Sequence, residues 1–477
     1  MWAQEIAPKI LLMIQFKKLG EDVNIIKDFL EQSESAFCDI SIGIKYMWRD
    51  EYVIDYAILD DTLIMKESSN DYKDVFYYPM GKNVDLALIE IEKYCKINNI
   101  PLVFGCVQND VALKLNNRYN KVEIISDRDW DDYIYDAEKF KTYSGKKYSG
   151  QRNHVNKFKK LYPDYKVCVL QKQDYQKIEK FLKEFELGTD FSVWTEKSEQ
   201  EKVYDYVKNA EKLNQVGAYL ELDGKVVAFS MGEVVNDTLI VHVEKALKTY
   251  EGVYPTMAQE FAKLFATGGV KFINREEDCG DMGLRISKLQ YRPIEIRQKN
   301  TVTVFTLFDK IVAPIKLVTE RLTIEDITDN DKQAYFNLYT DDELNKWWGY
   351  DYREDLGDND ITPDYFISFM TGLKEKKEEY SFAVKLDGKM IGELVAHNFG
   401  YYADVEIGFR FFKEFQGKGY AKESCLGLIE YLKGIGAKTI KSRCYKENIP
   451  SRRLIESLGL TLTHETDTHY FFCKSVK

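Results

Sequence analysis

Twice in this chain an Asp-Gly pair sits between two alternating apolar runs. Asp223-Gly224 separates residues 217–222 from 225–233, and Asp387-Gly388 separates 381–385 from 390–398. An Asp-Gly pair in that setting marks a tight hairpin. Both hairpins lead into the same succession: a strand (238–246, 403–412), a glycine-bearing loop, an amphipathic helix (256–266, 420–434) and another strand (270–274, 439–444). A hairpin followed by a strand–helix–strand crossover demands a sheet that is antiparallel at its start and parallel later, with helices on its faces. The expected fold class is therefore α/β in the mixed-sheet, α+β sense. A fainter third copy runs through 53–59 and 62–65 around Asp60-Asp61, a helix at 85–96 and a strand at 101–106.

The rest of the last 160 residues keeps the rhythm. Residues 317–327 read as a strand, and 330–339 and 363–377 as helices, the second with Pro363 in its first turn. Residues 451–458 read as a helix and 460–473 as a closing hairpin. The expected domains are 1–145, a degenerate unit; 146–300, a second unit; 301–316, a linker; and 317–477, a third.

Several classes of function are disfavoured. No apolar run reaches 18 residues, so no membrane-spanning helix is expected. The start, MWAQEIAPKILLMIQFKK, lacks the basic opening and small-residue cleavage site of a signal peptide. The eight cysteines are scattered without a CxxC pair, which fits reduced thiols and a cytoplasmic protein. The five histidines show no HExxH pattern, and no metal is expected. Net charge is −11, split into −6 for residues 1–310 and −5 for 311–477, so generic nucleic-acid binding is disfavoured. Only residues 140–160 depart from this, with seven basic residues and no acidic ones.

The chemistry concentrates at Gln416-Gly417-Lys418-Gly419-Tyr420-Ala421. A glycine loop that enters a helix N-terminus offers unpaired N–H groups and a favourable dipole to an anion. Glycines let the backbone approach closely, and Lys418 adds positive charge. One strand later come Lys446-Glu447-Asn448-Ile449-Pro450-Ser451 and Leu458-Gly459-Leu460. This QxxGxA, NxxS and LGL set, with TERLTI at 319–324 and KMIGELVAHNF at 389–399, resembles the GNAT acetyltransferase superfamily. Within it, 317–477 looks most like the ribosomal-protein-serine/alanine acetyltransferase branch.

That resemblance implies acetyl-CoA as co-substrate. Its pyrophosphate would lie on the amides of Gly417, Lys418, Gly419, Tyr420 and Ala421. The pantetheine would run beside the strand ending at Phe411 and Phe412, with Asn448 on its arm and Gln416 leading the loop. The reaction would be direct attack by an amine on the thioester, with oxyanion donors from Phe411–Phe412. Glu406 is the expected base, with Glu393 and His397 as further candidates on the neighbouring strand. Many superfamily members carry a tyrosine acid where this chain has Ile455, so Ser451 is the remaining candidate acid, or else a helix N-cap. Residues 347–364 carry six acidic and four aromatic residues, suited to a cationic amine or to a solvated loop.

The pieces DYIYDAEKF (132–140), GKKYSGQRNHVNKFKKLYPDY (145–165) and INREEDCGDMGLRISKLQYRP (273–293) resemble the soluble family related to the C-terminal domain of phosphatidylglycerol lysyltransferase. That resemblance, over about 15–300, implies tandem GNAT-like units. Lys146, Lys147, Arg152, Asn153, Asn156 and Lys157 could hold a phosphate-bearing donor. Glu276, Glu277, Asp278, Arg285 and Lys288 mix charges at a strand end. In the second unit Pro255 removes an amide and Glu251 repels phosphate, so coenzyme A binding is expected to be impaired there.

The leading reading is an acetyl-CoA-dependent N-acetyltransferase in 317–477 that acts on a small-molecule or peptide amine. The N-terminal region would recognise the acceptor or carry a second acyl transfer. The alternatives are an aminoacyl-tRNA-dependent transferase in the N-terminal region, with tRNA as partner, and a non-catalytic acetyl-CoA sensor. The acceptor's identity and the oligomeric state are not legible.

Overall fold

The computed structural model describes residues 14–33, 37–70, 72–187, 194–348, 351–355 and 360–476. The chain forms two compact units, Met1–Lys114 with Ile124–Thr303, and Leu115–Glu123 with Val304–Lys477.

The first unit carries two sheets. In one, the hairpin Val53–Leu59 and Thr62–Ser68 leads through Val75–Phe76 to the strand Leu102–Val107, parallel to it at Phe76↔Phe104, with the helix Val84–Ile97 between them. In the other, seven strands take the order Glu295–Arg297, Asp132–Asp136, Phe272–Asn274, Thr238–Ala246, Lys225–Val235, Val216–Leu222, Lys166–Val169. The helix Val253–Phe265 crosses from Thr238–Ala246 to the parallel strand Phe272–Asn274. The expected mixed α/β class and the repeated order are both present. The second sheet takes Asp132–Asp136 from the stretch assigned by sequence to 1–145.

The second unit is built on one sheet of eight strands in the order Lys316–Val318, Thr323–Asp326, Glu379–Leu386, Lys389–His397, Asp404–Phe411, Thr439–Tyr445, His469–Ser475, Thr461–Glu465. The helix Tyr420–Gly434 presents Cys425, Leu428 and Leu432 at helical spacing, and these join Ile324, Phe382, Val384 and Leu394 in one core. On the other face the helices Lys332–Thr340 and Pro363–Glu375 bury Tyr335, Leu338 and Phe366 with Ala383 and Met390. Alternation along Glu379–Leu386 sends Phe382 and Val384 to one core and Ala383 to the other, as a strand covered on both sides requires.

Three local features differ from the sequence reading. Residues 317–327 are not one strand but two, because Thr319 N–H closes a turn on Leu322 O at 2.9 Å. That turn is pinned by the Glu423 carboxylate, which accepts from Thr319 Oγ1 at 2.6 Å and from Arg321 N at 2.7 Å. The stretch 301–316 is structured, because Leu307 and Ile315 are buried in the second unit's core. And 115–123 belongs with the second unit: Asn120 N–H donates to Tyr401 O at 3.2 Å, Tyr119 packs on Tyr401 and Tyr402, and Phe305 N–H donates to Lys121 O at 3.0 Å.

Leu394 is fully buried mid-strand. Leu394→Ala is expected to cost about 2–5 kcal/mol, read as a lower urea midpoint for the second unit. An unchanged midpoint would place the core elsewhere.

Candidate active site

The site begins where two parallel strands part. Asp404–Phe411 and Thr439–Tyr445 pair only at Asp404↔Thr439, Val405↔Ile440 and Glu406↔Lys441. Just beyond, the Ser442 hydroxyl donates to Ile407 O at 2.9 Å. The cleft that opens there has a volume of about 1170 Å³ and is lined by Ile407–Phe411 and Ser442–Cys444. Its polarity follows from strand geometry. Phe412 N–H donates to Ile391 O at 3.1 Å. Amides alternate along an antiparallel strand, so Phe411 N–H points the other way, into the opening. Of the expected oxyanion donors, Phe411 is therefore available, and Phe412 is held by its neighbour strand. Gln416 Nε2 donates to Phe411 O at 2.9 Å and ties the strand end to the glycine loop.

The loop turns twice through left-handed backbone, at Gly417 (φ +71°) and Gly419 (φ +83°), and Gly419 caps the helix Tyr420–Gly434. A Cβ on Gly417 would meet nothing within 4 Å, and one on Gly419 would meet only Arg321 Nη2, at 3.3 Å. The first-turn amides of Tyr420 and Ala421 face this open space. Arg321 is a contributor that sequence reasoning missed. It donates to Lys418 O at 3.1 Å and pairs with Glu423 at 2.7 Å. It thus neutralises the one carboxylate in the first turn and sets guanidinium N–H donors beside the loop. These residues fit a diphosphate: open backbone donors, a helix N-terminus and flanking cations.

Asn448 and Ser451 line the same cleft. Asn448 caps the helix Ile449–Ser457, its Oδ1 accepting from Ser451 N–H at 3.2 Å. The N-cap reading of Ser451 thus passes to Asn448, and the Ser451 hydroxyl is left for other work. Ile455 is buried in the core.

Three carboxylates and a histidine matter at the other end. Glu406 lines the cleft but accepts from Asn398 Nδ2 at 2.9 Å and lies 3.3 Å from Arg443 Nε. Glu393 is fully buried and pairs with Arg410 at 2.7 Å, so it cannot meet a substrate. Arg410 in turn lies 3.9 Å over the Tyr339 ring and 4.5 Å from the Trp348 ring. Glu379, also missed in the sequence, lines the cleft opposite His397. Burial, then the nearby Glu393 carboxylate, push its carboxyl up to about 7. Burial pushes the His397 imidazole below its ordinary value, against the pull of Glu406. Asp341, Glu343, Trp347, Trp348 and Glu378 complete this end. In the stretch 347–364, residues 349–350 and 356–359 lie outside the described residues.

The corresponding helix end in the first unit is closed. Gly252 (φ +82°) caps Val253–Phe265 as Gly419 caps its helix, yet a Cβ there would lie 2.2 Å from His154 O. The helix Ser149–Leu161 fills the space an anion would need. Glu251 pairs with Lys157 at 2.5 Å, and Arg152 donates to Gly145 O at 2.6 Å and to Tyr143 O. Much of the basic window is thus spent on structure. The charged strand end is also engaged: Arg285 pairs with Asp278 at 2.7 Å, and Lys288 Nζ donates to Arg275 O at 2.6 Å. His242 bridges Glu276 (2.7 Å) and Glu233 (3.0 Å), whose hydrogen bonds outweigh burial and hold the imidazolium to about 9. Cys38, Asp39 and Asp132 could together face a cation, but Lys299 Nζ already lies 2.5 Å from Asp39 and 2.8 Å from Asp132.

Residues 31–302 match the family described as phosphatidylglycerol lysyltransferase, C-terminal. Residues 321–461 match the family described as acetyltransferase (GNAT) domain. An uncharacterized protein of Mycoplasmoides gallisepticum is 22% identical over 295 residues, 59% of this chain and 87% of that protein. An uncharacterized N-acetyltransferase of Bacillus subtilis, YnaD, is 26% identical over 146 residues, 30% of this chain and 81% of that protein. A conserved protein of unknown function from Bacteroides thetaiotaomicron superposes with a TM-score of 0.57 at 29% identity, over 61% of this chain and 99% of that chain.

Glu379 has a stability signature. Its folded-state carboxyl is raised from 4.5 to about 7. The folded chain therefore holds this proton more tightly than the unfolded chain, and stability is lost as pH rises through that window. Relative to Glu379→Gln, the natural chain is expected to weaken between pH 5 and pH 8, read from urea midpoints. A constant difference would contradict the burial.

Proposed function

We propose, for a chain that belongs to the family described as phosphatidylglycerol lysyltransferase, C-terminal, and that carries a GNAT acetyltransferase domain behind it, that acetyl transfer to a primary amine takes place in the cleft of the second unit. The chain is an acetyl-CoA-dependent acyltransferase. The observation that carries the reading is the open left-handed loop at Gly417–Gly419, aimed at a helix N-terminus beside a parted strand pair.

In this reading the amides of Gly417, Lys418, Gly419, Tyr420 and Ala421 hold the pyrophosphate, Lys418 adds positive charge, and Arg321 offsets the Glu423 carboxylate. Asn448 meets the pantetheine arm through its free amide nitrogen. Phe411 N–H faces the thioester carbonyl and stabilises the oxygen that gains charge as the amine attacks. The C–N bond forms, the C–S bond breaks, and the Ser451 hydroxyl is placed to give the leaving sulfur its proton. The Trp347 and Trp348 rings with Asp341, Glu343 and Glu378 suit an acceptor that arrives as a cation.

The first unit takes another part, acceptor recognition or a transfer that does not use coenzyme A, because the helix end beside Gly252 is covered. Its match over residues 31–302 favours the transfer, and an aminoacyl-tRNA donor remains the second reading. The eight cysteines are free thiols, which supports a reducing cytoplasm.

Calorimetric titration of the full chain with acetyl-CoA tests this. One site per protomer is expected, lost in Gly419→Glu, where a carboxylate would stand on the loop. Two sites would mean that the helix end at Gly252 opens. No binding would overturn the proposal.

A further inference from the structure

Three residues on three adjacent strands stand in one row across the floor of the cleft. Glu379 lies opposite His397, and His397 lies opposite Glu406. Directly opposed residues of an antiparallel sheet point to the same face, with Cβ atoms about 4.5–5.5 Å apart. All three line the opening. The next pair along that face is Val395 with Gly408. Gly408 lies on the parted strand, and a Cβ there would come 3.4 Å from Trp348 and 2.8 Å from Val395. An acyl group laid along this strand therefore has the row as its immediate neighbour, one alternation away.

We propose that His397 takes the proton from the attacking amine, and that Glu379 and Glu406, one on each neighbouring strand, receive that amine as a cation. This rests on the acetyl-transfer reading of the cleft and deepens it. Two other carboxylates, one on the strand of His397 and one on the strand beside it, are already engaged. Glu393 is buried on Arg410. Glu406 already accepts from Asn398 and faces Arg443. His397 Nε2 is 3.8 Å from Glu406 Oε1, beyond a hydrogen bond, and is free to accept. The charged and titratable groups around it are Glu379, Glu406 and Arg443, with Glu378, Glu393 and Arg410 around Glu379. Burial keeps the imidazole neutral near pH 7, the form that accepts a proton.

The step balances without a further reactant. The acceptor enters as R–NH3⁺, the form of a primary amine at neutral pH. His397 removes one proton and becomes an imidazolium between two carboxylates. The neutral nitrogen attacks the thioester carbon, and the C–N bond forms. As the C–S bond breaks, sulfur leaves with the bonding pair and is protonated, while the nitrogen gives up a second proton. The sum is R–NH3⁺ and acetyl-CoA giving the acetamide, free CoA thiol and one proton, which His397 returns to solvent. The chemical class is a primary ammonium, carried either on a peptide N-terminus or on an alkyl diamine.

The test uses the full chain, acetyl-CoA, and two probes, an alanine-terminated tripeptide and 1,5-diaminopentane, with CoA thiol release as the readout. Acetylation of one probe and not the other assigns the source of the ammonium. His397→Gln is expected to lower kcat/KM about 100-fold or more with acetyl-CoA affinity retained. In the natural chain kcat/KM should rise through a step below pH 6.5, apart from the step near pH 7 where Glu379 ionises, and the lower step should vanish in His397→Gln. Glu379→Gln should raise KM for the amine more than it lowers kcat. A His397→Gln rate within threefold of the natural chain overturns the proposal, as does a lower step that survives in it or moves to Glu406→Gln. If the variants fail to fold, a natural-chain profile without the lower step overturns it equally. Acetyl-CoA binding with neither probe acetylated overturns the row as a cation site and leaves the donor site standing. Failure to bind acetyl-CoA removes the underlying reading itself.

Discussion

The second unit depends on a pair of parallel strands that stop pairing after three residues. Backbone N–H and C=O groups left without a partner are costly unless something satisfies them. The chain satisfies a few itself: Ser442 covers Ile407 O and Gln416 covers Phe411 O. The rest face a cleft. Because the two strands diverge, the crossing helix Tyr420–Gly434 points its N-terminus at the gap, and the sheet floor becomes accessible at Gly408. Beneath the gap the buried Glu393–Arg410 pair, held between Tyr339 and Trp348, stiffens the floor. The open glycine loop, the unpaired Phe411 amide and the charged, aromatic end of the cleft all derive from that one divergence.

Much of this was legible in the sequence, because its signals are local. The Asp-Gly turns, the glycine loop and the apolar period of 420–434 each reside in a few consecutive residues, and the helix spans Tyr420–Gly434 as expected. What escaped was set by register or by distance. Counting back from Asp387-Gly388 without interruption places Glu379 opposite Ala396. A register shift between Val384 and Lys385 places it opposite His397 instead and so swings it into the cleft. Arg321 escaped because its partner, Glu423, lies on a helix far along the chain. The grouping of Cys38, Asp39, Asp132 and Lys299 joins separate stretches that no spacing rule connects.

The two crossing helices make a related point. Gly252 and Gly419 have nearly the same backbone, φ +82° and +83°, at the same step of the same strand order. One is covered by the His154 carbonyl and the other is open beside Arg321. A left-handed glycine at a helix start therefore marks the fold's turn. Whether it is also a binding site is decided by what packs on it, and a fold can keep the first without the second.

The placement of 115–123 in the second unit bears on how the chain is made. Tyr119, Asn120 and Lys121 leave the ribosome long before Phe305, Tyr401 and Tyr402, the residues they contact. Until those partners are synthesised, this short segment has nothing of its own unit to fold against. Closing so distant a contact is slow. The second unit is therefore completed only near the end of translation, and a fragment begun at residue 317 would be born without one of its walls.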